Sequence, residues 1–181
     1  MKLVKTLLGV LFASALFTVT AIGAANAPVV DPGPPHSDLW KMTLAGSGAV
    51  QTQSPSDAAV GLTLGLSRNV TVLVPAEFGV RQSVGWADVN QGSTWLFTTT
   101  VFNDWRIVKV GNVELLAGGR IGPTYGNTTT TWAGGPEAEA RLWMKKDVYT
   151  FVRAGYDFAF SNSGIKSKDS VGLVLGVGFS F

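Results

Sequence analysis

Catalysis by a hydroxyl nucleophile needs a base beside it, and the only histidine of this 181-residue chain is His36. It lies in PVVDPGPPHSD (28–38), where four prolines and one glycine read as an extended tail. No histidine is left for a strand or a loop, and there is no cysteine. Metal sites built from imidazole or thiolate are therefore not expected, and neither is a redox or disulfide-stapled scaffold. Glu137 and Glu139 form a carboxylate pair of the kind glycosidases use. Their neighbours in the pattern below favour ion pairing over acid–base work. The chain reads as a non-enzyme without a cofactor.

The chemistry that remains is charge. From Leu39 onward the apolar residues recur with period two, and the alternate face collects ten ionisable groups. Five are basic: Lys41, Arg81, Arg120, Arg141 and Arg153. Five are acidic: Glu77, Glu114, Glu137, Glu139 and Asp157. Alternation does not demand that they balance. Equal numbers on one enclosed face predict a network of ion pairs, because isolated charges away from water are costly. Glu77 with Arg81, and Glu137 with Arg141, share a strand face and can also bind neighbours.

The strands that position these groups are legible in turn chemistry and alternation. Eight are expected, at about 39–50, 58–67, 70–84, 94–103, 113–123, 135–144, 148–160 and 170–181. The last is the clearest. Val171, Leu173, Leu175, Val177, Phe179 and Phe181 make one face, and small residues make nearly all of the other. A half-buried strand of a soluble sandwich turns a polar face to water. Here the small face suits a crowded barrel interior and the large one suits lipid. Pro75 predicts a bulge or irregularity in strand three. The connections at 68–69, 104–112 and 145–147 read as short turns, though 104–112 could instead extend its two strands. Those at 51–57, 85–93, 124–134 and 161–169 read as longer loops. The fold expected is all-β, an eight-stranded antiparallel up-and-down transmembrane barrel with both termini at the short-turn end.

Lys2 and Lys5, an apolar stretch over 7–20 and Ala25-Asn26-Ala27 read as a signal peptide (1–27) cleaved after Ala27. Removing it takes two of 14 basic residues and leaves 12 against 12 acidic. A neutral chain without a basic run offers nothing to a phosphate backbone, so nucleic acid is excluded. The organisation expected is leader 1–27, periplasmic tail 28–38 and barrel 39–181. Trp40, Trp95, Trp132, Trp143, Tyr149, Phe179 and Phe181 fall near strand ends, the place of an interfacial girdle. Trp86, Tyr125 or Trp132 would instead serve a sugar-binding platform on the outer loops.

On these features (leader, eight alternating strands and Leu173-x-Leu175-x-Val177-x-Phe179-x-Phe181) the mature chain resembles small bacterial outer-membrane barrels of the OmpA transmembrane-domain and opacity-porin type. GVRQ at 79–82 and AGGPEA at 133–138 look like segments of uncharacterised barrels of that kind. The resemblance implies that the terminal aromatic and its alternate apolar residues are read by the barrel-assembly machinery. It also implies a Gram-negative outer-membrane location among lipid and lipopolysaccharide. The chain ends with the barrel, so a C-terminal peptidoglycan-binding domain is not expected. Three roles stay open: a structural or surface-interaction barrel with a closed lumen, a narrow channel for ions or small solutes, and a secreted, soluble lipocalin-like binder.

Overall fold

The computed structural model describes residues 40–52, 58–71, 75–89, 92–126, 130–160 and 169–181. The expected leader and tail, His36 with them, lie outside the described residues, as do residues 72–74 of the expected third strand. Among those described there are eight strands and no helix. They are β1 (Trp40–Gln51), β2 (Ala58–Thr71), β3 (Pro75–Val89), β4 (Gly92–Val110), β5 (Val113–Tyr125), β6 (Thr130–Lys145), β7 (Val148–Phe160) and β8 (Ser170–Ser180). Each pairs antiparallel with its neighbour in sequence, and β8 pairs with β1 to close the barrel. Closure removes every sheet edge, which a strand protein needs where water cannot satisfy free backbone groups. At the seam Phe181 N donates to Trp40 O (2.9 Å), and Trp40 N donates to Phe181 O (3.1 Å).

The register sets the dimensions. Followed strand by strand from Trp40, it returns to β1 at Val50, a stagger of ten residues. Eight strands with that stagger tilt by about 40° and enclose a lumen only as wide as its own side chains. The same tilt makes the stretch from Trp40 to Val50 about 25 Å tall, the height of the apolar band of an outer-membrane barrel. That band is continuous. Met42, Leu44, Leu62, Leu64, Leu66, Val80, Val101 and Leu173 all face outward and are 40–59 % exposed. Their sequence neighbours Thr43, Ala45, Thr63, Arg81, Phe102 and Val174 face inward and are buried.

Several connections differ from expectation. Arg68 and Asn69 belong to β2, paired with Phe78 and Glu77, and the β2–β3 connection falls at 72–74. Pro75 disturbs nothing, because it is the first residue of β3 and its missing N–H interrupts no register. Register shifts lie instead at Arg106/Val108 and Trp143/Lys145. The stretch 104–112 extends both strands, leaving a turn at Gly111-Asn112 where Gly111 has φ 58°. The expected loops 85–93 and 124–134 shrink to 90–91 and 126–129. Their Gly, Ser, Thr and Ala residues read as loop chemistry, yet a narrow lumen wants small inward residues on strands. The asymmetry of short turns against long loops is correspondingly weaker.

The face assignment predicts opposite responses along one strand. Leu64→Arg, at mid-height on the outer face of β2, should cost about 2–4 kcal/mol of stability. Leu64→Phe should cost little. Urea unfolding in phosphatidylcholine vesicles measures both.

Candidate functional site

The lumen holds the chemistry. Nearest the termini, β3 presents Glu77, which is 2 % exposed. Lys41 Nζ donates to its Oε2 at 2.7 Å and Ser67 Oγ to its Oε1 at 2.7 Å. Arg141 grips both oxygens, with Nη1 at 2.6 Å and Nη2 at 3.1 Å. Such forked pairing is the strong form of the guanidinium–carboxylate contact. Lys41 also donates to Asn69 Oδ1 at 2.9 Å. Arg141 Nε continues the chain to Glu139, whose second oxygen takes Arg153 Nε at 2.6 Å. Glu114 accepts from Arg106 and, at 3.2 Å, from Trp143 Nε1.

Aromatic rings fill the space between these charges. Trp143 and Tyr149 pack at 4.7 Å between centroids, and Tyr149 and Phe151 at 6.1 Å. Arg141 lies over Tyr149 and Arg153 over Phe151, each at 4.9 Å. A guanidinium on a ring face keeps an electrostatic partner where it has no hydrogen bond. The Tyr149 ring seats against Gly178, where a Cβ would come within 2.1 Å of Cζ. Trp143 and Tyr149 are thus 9 % and 0 % exposed and belong to the lumen, not to the interfacial girdle expected for them. Period alone sets Trp143 in phase with Glu137, Glu139 and Arg141, and Tyr149 in phase with Arg153; only their nearness to strand ends suggests the girdle.

Further from the termini a second cluster is built on Arg81. Its Nη1 donates to both oxygens of Glu137 (2.6 and 2.8 Å) and its Nη2 to Asp104 Oδ2 (3.0 Å). Its guanidinium stacks 3.4 Å from the centre of the Phe102 ring. Arg120 Nη1 reaches Glu137 at 3.3 Å, while Nε and Nη2 clasp Asp157 at 2.9 and 2.7 Å. This last pair is the most open of the cluster, with side chains 12 % and 24 % exposed against at most 3 % for Arg81, Asp104 and Glu137. Beyond it the inward residues described are small or hydroxylated, apart from Leu96 and Gln51. Ser47, Ala49, Gly61, Ser83, Gly85, Thr98, Thr124, Ala133 and Gly135 are all partly exposed. Thr63 bonds Ser83 at 2.8 Å and Thr98 bonds Thr124 at 2.9 Å. The far end is therefore a shallow cup with the Arg120–Asp157 pair as its floor.

All ten charges read from the alternation point inward and enter ion pairs. Asp104 and Arg106 join them, bringing the paired groups to six of each sign and keeping the balance. These two fell in the stretch first read as a connection. The signal was present, since Phe102, Asp104 and Arg106 alternate with Val101, Asn103 and Trp105 in the phase of β4. Trp86, Tyr125 and Trp132 sit on strands and face outward, 42–51 % exposed, with Trp86 edge-on to Trp95 at 5.0 Å. They form a belt with Trp95, Phe158 and Phe160 rather than a platform on loops. Trp40, Trp95, Trp132, Phe179 and Phe181 face outward near strand ends. Leu173, Leu175, Val177 and Phe179 share the outer face of β8. No group of three or more His, Cys, Asp or Glu suited to a metal ion occurs among the described residues.

Solved structures place this architecture. The Neisserial surface protein NspA superposes with a TM-score of 0.61, at 13% identity over 81% of this chain and 98% of its own. The outer-membrane enzyme PagL superposes with a TM-score of 0.52, at 11% identity over 76% of this chain and 98% of its own. The fold is that of the small eight-stranded outer-membrane barrels. Ail of Yersinia pestis aligns more loosely, at a TM-score of 0.48 and 13% identity over 80% of this chain and 97% of its own. No protein-family profile matches the sequence. No curated protein matches it either. Since PagL is an enzyme, the fold by itself leaves enzymatic and non-enzymatic roles open.

Burial orders the expected losses. Glu77→Ala leaves Lys41 and Arg141 without their main partner and should cost about 3–5 kcal/mol. Asp157→Ala, at the part-exposed floor, should cost clearly less. Urea titrations of the two refolded variants, monitored by tryptophan fluorescence, measure the order.

Proposed function

We propose that this protein is an exported outer-membrane barrel of a Gram-negative bacterium with a closed lumen, acting structurally or through contacts made at its outer end. The leader is cleaved after Ala27 and the end carrying both termini faces the periplasm. The observation that carries the reading is the filling of the lumen by two ion-paired clusters, one from Lys41 to Arg153 and one from Arg81 to Asp157. A barrel of this width has no room left for a solute path once such a network is complete. The outward apolar band favours lipid and lipopolysaccharide as surroundings. It disfavours a soluble lipocalin-like binder, whose outer face would be polar.

The role is non-enzymatic on this reading. A hydroxyl nucleophile would need a base, and the one histidine lies in the tail at position 36. The buried carboxylates are each paired with guanidinium, ammonium or both, and Asp104, whose Oδ1 accepts no hydrogen bond, has no hydroxyl nucleophile bonded to it among the described residues. A narrow conductive path is the second reading. It is favoured by the partly exposed cup above Arg120 and Asp157, from which only a few layers separate the periplasmic side.

Planar-bilayer recording separates the two. The refolded wild type should be electrically silent, while Arg81→Ala or Arg153→Ala, which cut the network, should leak. Stable wild-type steps that disappear in those variants would overturn the closed-lumen reading. Deletion of Phe181 should reduce outer-membrane assembly in cells by removing both the terminal aromatic and its paired hydrogen bonds to Trp40. Unchanged membrane assembly would count against the assembly role given to Leu173, Leu175, Val177, Phe179 and Phe181.

A further inference from the structure

Outside the lumen, the charges of the described residues are unevenly placed along the barrel. At the end carrying the termini, Arg68 stands on the outer face of β2, and Lys145 and Lys146 stand at the β6–β7 turn, whereas Lys109 on β4 is opposite the lumen-facing Glu114 in the register. Among the described side chains Asp147 lies beside Lys145 and Lys146. Arg68, Lys145 and Lys146 are exposed. They enter none of the ion pairs of the lumen.

Their height is defined by aromatic neighbours. Arg68 is opposite both Trp40 and Phe78 in the register, and its guanidinium lies 5.8 Å from the Trp40 ring centre. Trp40, Phe78, Trp105, Phe179 and Phe181 are exposed on the outer face around this end. Amphipathic rings such as Trp mark the depth where headgroups meet acyl chains, so cations beside or just beyond them lie at phosphate level. The cations come from β2 and from the β6–β7 turn, well apart on a closed ring. A compact soluble anion would need them converging on one point. Separated cations at one end of the barrel instead match a planar anionic layer.

We infer that this basic rim docks on anionic phospholipid headgroups of the leaflet facing the periplasm, fixing the depth and direction of the barrel. The inference rests on the proposed orientation, with the termini on the periplasmic side. Each Lys or Arg near an anionic surface contributes about a fivefold preference, so the three together outweigh any single contact. Aromatic anchoring alone, by contrast, has no preference between zwitterionic and anionic headgroups.

The test is lipid retention by the full mature chain, refolded in mixed micelles with equal parts of phosphatidylcholine and phosphatidylglycerol and read by native mass spectrometry. The wild type should retain phosphatidylglycerol more than about tenfold over phosphatidylcholine. Lys145→Gln with Lys146→Gln, exposed positions at a turn, should lower that ratio by at least fivefold, and raised salt should do the same. Equal retention by the wild type, or an unchanged ratio in the double variant, overturns the inference. So does release of phosphatidylglycerol by millimolar inorganic phosphate, which would mark a soluble-anion site. Heat-modifiable migration after refolding in phosphatidylcholine alone reports the barrel itself, so failure of the fold and failure of the lipid preference remain distinguishable.

Discussion

Lipid on the outside forces the polar side chains of this barrel inward, into a lumen too narrow to hydrate them. Everything else in the structure follows from that squeeze. A charge in such a space must find an opposite charge within hydrogen-bond reach, or its desolvation is uncompensated. The chain meets the demand with six cations and six anions, linked through forked guanidinium contacts. Arginine dominates because its planar head binds carboxylate on one edge and lies on an aromatic face with its surface. Arg81 does both, between Glu137, Asp104 and Phe102.

The network is also a packing device. Long arginines and the rings of Trp143, Tyr149 and Phe151 occupy the part of the lumen nearer the termini, and glycines opposite them supply the room. Gly178 against Tyr149 and Gly155 against Arg120 show the pattern: a Cβ would fall 2.1 Å and 2.9 Å from the large neighbour. Ion pairs of this kind are not efficient stabilisers in themselves, since apolar residues of equal volume often do as well. Their value here is that they let one face be polar while the chain keeps a strict alternation. That alternation fixes the register, because a slip of one residue would turn every charge toward lipid.

Above the Arg120–Asp157 pair the filling stops, and small residues take over. Among the described residues the lumen is therefore ion-paired toward the termini and lined mostly by small side chains toward the far end. On the outer surface Trp86, Trp95, Tyr125, Trp132, Phe158 and Phe160 ring the far end, while Trp40, Phe78, Trp105, Phe179 and Phe181 ring the other together with Arg68, Lys145 and Lys146.

The sequence by itself determined the class of fold, the phase of the strands and the inward set of ten charges. Each of these depends on alternation, which is local: neighbours on a strand point to opposite faces whatever the rest of the chain does. Phe181 and its alternate apolar residues set the lipid face, and that phase carried through every strand but β4, whose run of threonines suits either face. Where strands ended was less legible, since small residues signal a turn in most proteins and a crowded lumen in this one. Thus 85–93 and 124–134 read as loops, and Asp104 and Arg106 were set aside. Only the tertiary structure decided which charge meets which. Arg81 with Glu137, and Lys41 and Arg141 with Glu77, are separated by 56, 36 and 64 residues. Those pairings come from the ten-residue stagger of a closed ring, a property of the whole barrel that no single strand contains.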